Sequence, residues 1–189
     1  LQHSVSHQRR RWVGFQTCSL NRLSNLIKAT GIPCSPSTVM EYVRYLQESC
    51  LLISIDNYVS KFVEKETIKK HYFVDNGLLH LFINNPNTSL LENLCAITLY
   101  KKYAKGLYYY NKNIEVDFYV PDEGIAVQAS YQMSDGETIE REVKALVALH
   151  GLHPLKRAMI ITYEDEGEIV RDGLRIEIKP AWKWVLEGL

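Results

Sequence analysis

No cysteine of this chain stands in a C-x-x-C pair. The four lie apart at positions 18, 34, 50 and 95, and no histidine cluster accompanies them. That spacing excludes a zinc finger or ribbon. Most sit beside apolar residues, as in QESCLL and ENLCAI, and read as small buried hydrophobes in a reducing cytoplasm. No stretch comes near the ~18 apolar residues of a membrane span. The N-terminal LQHSVSHQRRRW lacks the apolar core of a signal peptide. It also lacks an initiator methionine, so the chain is read as a region of something longer. The patterns G-x-x-x-x-G-K-[ST] and G-x-G-x-x-G are absent, and no glycine is followed by lysine. ATP hydrolysis through a P-loop within these residues is thereby excluded. G-x-S-x-G is missing too, and the six histidines (3, 7, 71, 80, 150 and 153) are scattered. Nothing suggests a hydrolase triad, and His150 and His153 read as surface loop residues.

Net charge is also lacking: 22 Lys+Arg balance 22 Asp+Glu. The balance is uneven along the chain. Residues 1–80 carry 10 basic and 6 acidic side chains, and residues 81–189 carry 12 and 16. A basic front half favours a polyanion, although the excess is modest.

What is present is an ordinary globular composition, 46% hydrophobic and 23% charged over 189 residues. The front half reads as helices. Leu20, Leu23, Leu26 and Ile27 share a helical face, Ser19 is placed to cap it, and Gly31 ends it. A second helix follows, capped by Ser35 or Ser37, with Pro36 in its first turn and Val39, Val43 and Leu46 inward. Two short helices joined by a tight turn form a helix-turn-helix. CLLISIDNYVS and HYFVD then read as strands around the charged KFVEKETIKK, which would make a wing. Residues 1–84 are thus expected to form a winged helix, with 1–13 as a poorly ordered or truncated segment.

Beyond a boundary near 84–89, the pattern is helix, three strands, helix, two strands, helix. The expectation for 85–189 is an α/β domain with a central mixed sheet, within an α+β chain. RAMIITYED is apolar enough for a central strand. The tyrosines at 108–110 suit either a buried strand or base stacking.

Two groups of residues carry candidate chemistry. In a DNA-reading helix-turn-helix, the second helix enters the major groove. Here that places Ser35, Ser37, Thr38, Glu41 and Arg44 near bases. Arg22, Lys28 and Arg9–Arg11 would meet phosphates. The helix is poor in the usual base readers, so protein packing is the competing use. The second group lies around NIEVDFYVPDEGIAVQASYQM, two strands and a turn. Strand alternation puts Glu115 and Asp117 on one face. A metal-dependent nuclease needs converging acids and usually a lysine from an E-x-K on the partner strand. Glu92 in LLENL is placed to join Asp117. The E-x-K slot, however, reads Gln128-Ala129-Ser130. Glu92 and Asp117 are therefore the candidate metal ligands, for Mg²⁺, and Gln128 and Ser130 the vestigial positions. Lys144 on the next helix is a distant substitute and reads as a surface lysine.

The ordered set of segments resembles the C-terminal region, a domain of unknown function, of a large bacterial and archaeal family of AAA-type P-loop ATPases. SPSTVMEYVRYLQESCLL is similar to its winged-helix segment, KKHYFVDNGLLHLF to its lysine–aromatic–Asp–Gly–Leu signature, and LLENLCAITLY to its Glu-Asn helix. YYYNKNIEVDFYV resembles its aromatic–Glu–x–Asp–Phe strand, and PAWKWVL one subgroup's end. The resemblance covers about residues 14–189. It implies an ATPase core, here absent, then a winged helix, then a domain like PD-(D/E)XK nucleases. It maps Glu92 and Asp117 onto the first two nuclease positions, and Gln128 and Ser130 onto the acid and lysine. The expectation is a non-catalytic cytoplasmic accessory region that recognises DNA or a partner protein, with no cofactor of its own. Its partners would be the ATPase domain of the same parent chain, DNA, or a second copy. The alternatives are a divalent-metal nuclease and a pure protein-interaction module.

Overall fold

A computed structural model describes residues 18–61, 68–81, 87–133 and 136–188. The N-terminal arginines 9–11, the segment 1–13 and most of the charged turn after β2 lie outside the described residues. In chain order the elements are β1 (Cys18–Ser19), α1 (Leu20–Lys28), α2 (Pro36–Glu48), β2 (Leu52–Asn57), β3 (Ile68–Phe73), α3 (Asn76–His80), α4 (Asn87–Tyr103), β4 (Tyr108–Asn111), β5 (Glu115–Val120), β6 (Ile125–Ala129), α5 (Gly136–Leu152), β7 (Arg157–Thr162), β8 (Gly167–Arg171), β9 (Leu174–Pro180) and α6 (Ala181–Glu187).

The caps act as their residue types dictate. The Ser19 hydroxyl accepts from the Arg22 N–H at the start of α1. Ser35, not Ser37, caps α2, with Pro36 in the first turn. The Asp75 carboxylate caps α3 by accepting from the N–H groups of Gly77 and Leu78. Gly31, at φ 88°, supplies the left-handed conformation that ends the first helical segment. Cys50 takes the same conformation at φ 55° after α2. It is exposed, whereas Cys34 and Cys95 are buried as expected.

The fold is α+β. Among the described residues, all nine strands join one mixed sheet, in the order β1-β3-β2-β4-β5-β6-β7-β9-β8. The β2–β3 hairpin is antiparallel, and β2 then pairs in parallel with β4 through Asp56↔Tyr108 and Asn57↔Tyr109. The Asn57 side chain secures this junction, donating to the Asn111 carbonyl at 2.7 Å and accepting from its N–H at 3.0 Å. The sheet therefore runs unbroken from the front half of the chain into the back half. β7 is central, parallel to both β6 and β9, and five of its residues are fully buried. The strands β1 and β8 were not anticipated. β8 is the exposed outer half of a hairpin with β9, and GEIVR has no buried face to announce it.

Two cores flank the sheet. On one side α4 and α6 bring Leu91, Cys95, Leu99 and Trp184 onto Phe118, Val127 and Met159. On the other, α5 brings Val143, Leu146 and Leu149 onto Ala126, Ile160 and Ile176. Tyr109 and Tyr110 are buried, one in each core, and so cannot stack bases. His153 is packed against the rings of Tyr58, Tyr110 and Tyr119. His150 accepts the Leu155 N–H on Nδ1. Both histidines thus have structural partners that a surface loop reading did not foresee. Among the described residues, no helix is long and apolar enough to cross a membrane.

Candidate functional site

The site begins with an irregularity in β5. Tyr110 pairs with Val116, but Tyr108 pairs with Tyr119. Asp117 and Phe118 together therefore oppose the single residue Tyr109, which is a β-bulge. The bulge leaves Asp117 on the α4 side of the sheet while Phe118 still enters the core beneath α4. Backbone groups freed there need partners. Gln128 on β6 supplies them. Its Oε1 accepts from the Asp117 N–H at 2.8 Å, and its Nε2 donates to the Glu115 carbonyl at 3.1 Å. Both ends of the amide are engaged, so Gln128 serves the backbone of β5. Replacing it with alanine would strand a buried N–H. The expected cost is about 1–3 kcal/mol, measured by urea unfolding.

Glu92 and Asp117 do meet, and between them stands a residue that the sequence reading missed, Lys70. Alternation along β3 turns Lys70 and Tyr72 to the α4 side of the sheet. The Lys70 Nζ lies 3.0 Å from Asp117 Oδ1, 3.4 Å from Glu92 Oε1 and 3.3 Å from Glu115 Oε1. Its side chain is only 2% exposed. Glu92 also accepts from the Tyr72 hydroxyl at 2.8 Å, and Asp117 Oδ2 accepts from the Ala129 N–H at 3.1 Å. Burial opposes the charge of Lys70, but Asp117, then Glu92 and Glu115, hold its pKa far above the ordinary lysine value. The ammonium is permanent and cannot serve as a general base. Burial, and then the Asp117 charge, pushes the Glu92 carboxyl up to about 7. Burial raises Glu142 as well, against the pull of Arg141.

These groups form the floor of a cleft of about 870 Å³. Arg22, Arg141 and Lys144 line it with Ala145 and Ala148 of α5. Lys144 pairs with Glu140 one turn away and is 69% exposed, the surface lysine it was expected to be. Ser130 is not at the floor. Its hydroxyl donates to the Gln132 carbonyl at 3.2 Å, and it borders a separate depression.

The donor set does not suit Mg²⁺. A divalent ion at the point where the acids converge would meet the Lys70 ammonium, and Gln128 has no oxygen to spare. Among the described residues, no group of three or more His, Cys, Asp or Glu side chains is arranged to hold a metal ion.

The candidate DNA contacts are split among several places. The Ser35 hydroxyl hydrogen-bonds with those of Ser37 and Thr38 at the start of α2, at 2.7 and 2.8 Å. Glu41 and Arg44 face a cavity towards β3, and Arg44 also pairs with Glu48. Arg22 turns to the acidic cleft, and Lys28 is exposed in the last turn of α1. They do not make one basic stripe.

Lys70 had one signal in the sequence. It lies on the buried parity of a strand, next to Tyr72 and within KKHYFVDNGLLHLF. A lysine on a strand's buried side needs an acid opposite it. Which acid that is depends on the pairing of distant strands.

The chain is similar to the uncharacterized protein MJ1544 of Methanocaldococcus jannaschii, with 30% identity over 183 residues. The match takes in 89% of this chain and 40% of that protein, so the chain spans about two-fifths of its relative's length. No family model matches. No solved structure matches.

Proposed function

We propose that this chain is the non-catalytic accessory region of a longer AAA-type P-loop ATPase, and that it works by docking protein. In this reading α1, α2 and the β2–β3 hairpin are a winged helix merged with a PD-(D/E)XK-like sheet. The carrying observation is Lys70, whose ammonium satisfies Glu92, Glu115 and Asp117 from within. Acids neutralised in this way need no metal to hold them together. The greater length of the relative supports a parent protein larger than this chain.

The face of α2 favours protein over DNA. That helix fully buries only Val39, while Tyr42, Tyr45 and Leu46, together on one face, are 40–60% exposed. Contiguous exposed apolar and aromatic side chains mark protein interfaces. Size-exclusion chromatography of the chain mixed with the ATPase part should give a complex that Tyr42→Ala/Tyr45→Ala loses. A shift with the chain alone would assign the face to a second copy. Fluorescence anisotropy with duplex DNA should show binding no tighter than that of an equally charged control.

A second reading, the divalent-metal nuclease, has one observation in its favour. Lys70 supplies from β3 the lysine that the Gln128–Ser130 slot lacks, beside two acids and an open cleft. Plasmid incubated with Mg²⁺ or Mn²⁺ separates the two. The expected result is no cleavage and no Mn²⁺ uptake by calorimetry. Cleavage abolished by Asp117→Ala would replace the first reading with the second.

A further inference from the structure

A second cavity, of about 510 Å³, lies between α2 and β3, on the side of the hairpin opposite Lys70. The same alternation that sends Lys70 to the acids sends Lys69 and His71 here. From α2 come Glu41, Arg44 and Gln47, together with Met40 and Val43, at the spacing of one helical face. His71 is 7% exposed, and its Nδ1 is 2.7 Å from the Ser54 hydroxyl. With that hydroxyl donating, the ring proton rests on Nε2, which has no partner among the described residues. Gln47 has no side-chain partner among them either. Lys69 holds Asp56 at 2.8 Å, while the Arg44–Glu48 pair is long and exposed at 3.8 Å. The site thus assembles unused N–H donors and two cations, Lys69 shared with Asp56 and Arg44 with Glu48, beside the carboxylate of Glu41, around a half-enclosed space.

We propose that this cavity binds a hydrogen-phosphate group, free or as a monoester. Lys69 and Arg44 supply the charge, and His71 Nε2 and the Gln47 amide donate to phosphate oxygens. Glu41 would repel a fully deprotonated oxyanion, but it accepts a hydrogen bond from a P–OH. It therefore selects phosphate over sulfate, which has no proton to give near neutral pH. Burial and the nearby Lys69 lower the His71 pKa to about 4, so the ring is neutral near pH 7. The groups on the ring's side are Ser54, Lys69 and its partner Asp56 from the hairpin, and Glu41 and Arg44 from α2.

The test follows the His71 Cε1–H resonance of the full chain by NMR. Inorganic phosphate, glycerol 1-phosphate and sulfate are titrated separately at matched ionic strength. Phosphate should shift the resonance saturably and raise the His71 pKa by about one unit, because a bound anion favours the imidazolium. Sulfate should bind at least about tenfold more weakly, and Glu41→Gln should remove the difference. Gln47→Ala should weaken phosphate by about tenfold, the worth of one hydrogen bond to a charged group. Both substituted side chains are exposed on α2, so the variants keep the fold. Saturation by glycerol 1-phosphate identifies a monoester site, and saturation by inorganic phosphate alone a free-anion site. No saturable shift with either, or equal response to phosphate and sulfate in the parent, overturns the proposal.

Discussion

Lys70→Met should lower the unfolding free energy by about 3–5 kcal/mol at pH 7, the usual result of breaking a buried ion pair from one side. The methionine fills the space, so the loss is electrostatic rather than a cavity. Glu92, Glu115 and Asp117 are left facing one another with no cation. Glu92 is nearly as buried as the lysine and cannot turn to water. Each 1 kcal/mol moves the melting temperature of a domain this size by about 2–4 °C, so a fall of roughly 6–20 °C is expected. Acid should restore only a small part of it, since loss of the lysine raises Glu92 further and that carboxyl is then already largely protonated at pH 7. Thermal unfolding of parent and variant at pH 5 and 7.5 measures both effects. A variant within about 1 kcal/mol of the parent at pH 7.5 would mean that Lys70 does not hold the site together, and the non-catalytic reading would lose its carrying observation.

The second large effect is hidden in the parent by cancellation. The Glu92 pKa rises from 4.5 to about 7 on folding. Between those values the folded state keeps a proton that the unfolded chain has released, so stability falls as pH rises. His71 runs the other way, from 6.5 unfolded to about 4 folded. Over that window the unfolded chain takes up a proton that the folded state refuses, so stability grows as pH rises. Each amounts to about 3 kcal/mol by the usual equivalence of one pKa unit with about 1.4 kcal/mol. The windows overlap between about 4.5 and 6.5, and there the parent should be nearly flat. The raised pKa of Lys70 adds no slope, because its charge persists throughout this range. Glu92→Gln keeps an acceptor for the Tyr72 hydroxyl and removes the titration. Its stability should climb by about 2–3 kcal/mol from pH 4.5 to 6.5, read by urea denaturation at four pH values. A flat profile in this variant would refute the opposing-residue account.

Much of the architecture was legible from local chemistry. Ser19 and Ser35 cap helices because short polar side chains satisfy the free N–H groups of a first turn. RAMIIT reads as a central strand because only a strand covered on both faces is apolar throughout. GEIVR could not be read so. Its residues are largely exposed, and what holds them is the backbone of β9. The unbroken sheet was equally out of reach. Nothing local in LISIDN or YYYN states that they will pair, because the contact joins residues some fifty positions apart.

The same division runs through the site. Sequence alone placed Glu92 and Asp117 together, since their helix and strand could be recognised and the strand's alternation could be counted. It also showed that positions 128 and 130 carry no acid and no lysine. Only the tertiary structure decided what these changes mean. Register across five strands gives Gln128 to the bulged backbone of β5 and Lys70 to the acids. A residue's charge is written in the sequence, but the field it meets is written by distant strands. The acids around Asp117 hold the ammonium of Lys70.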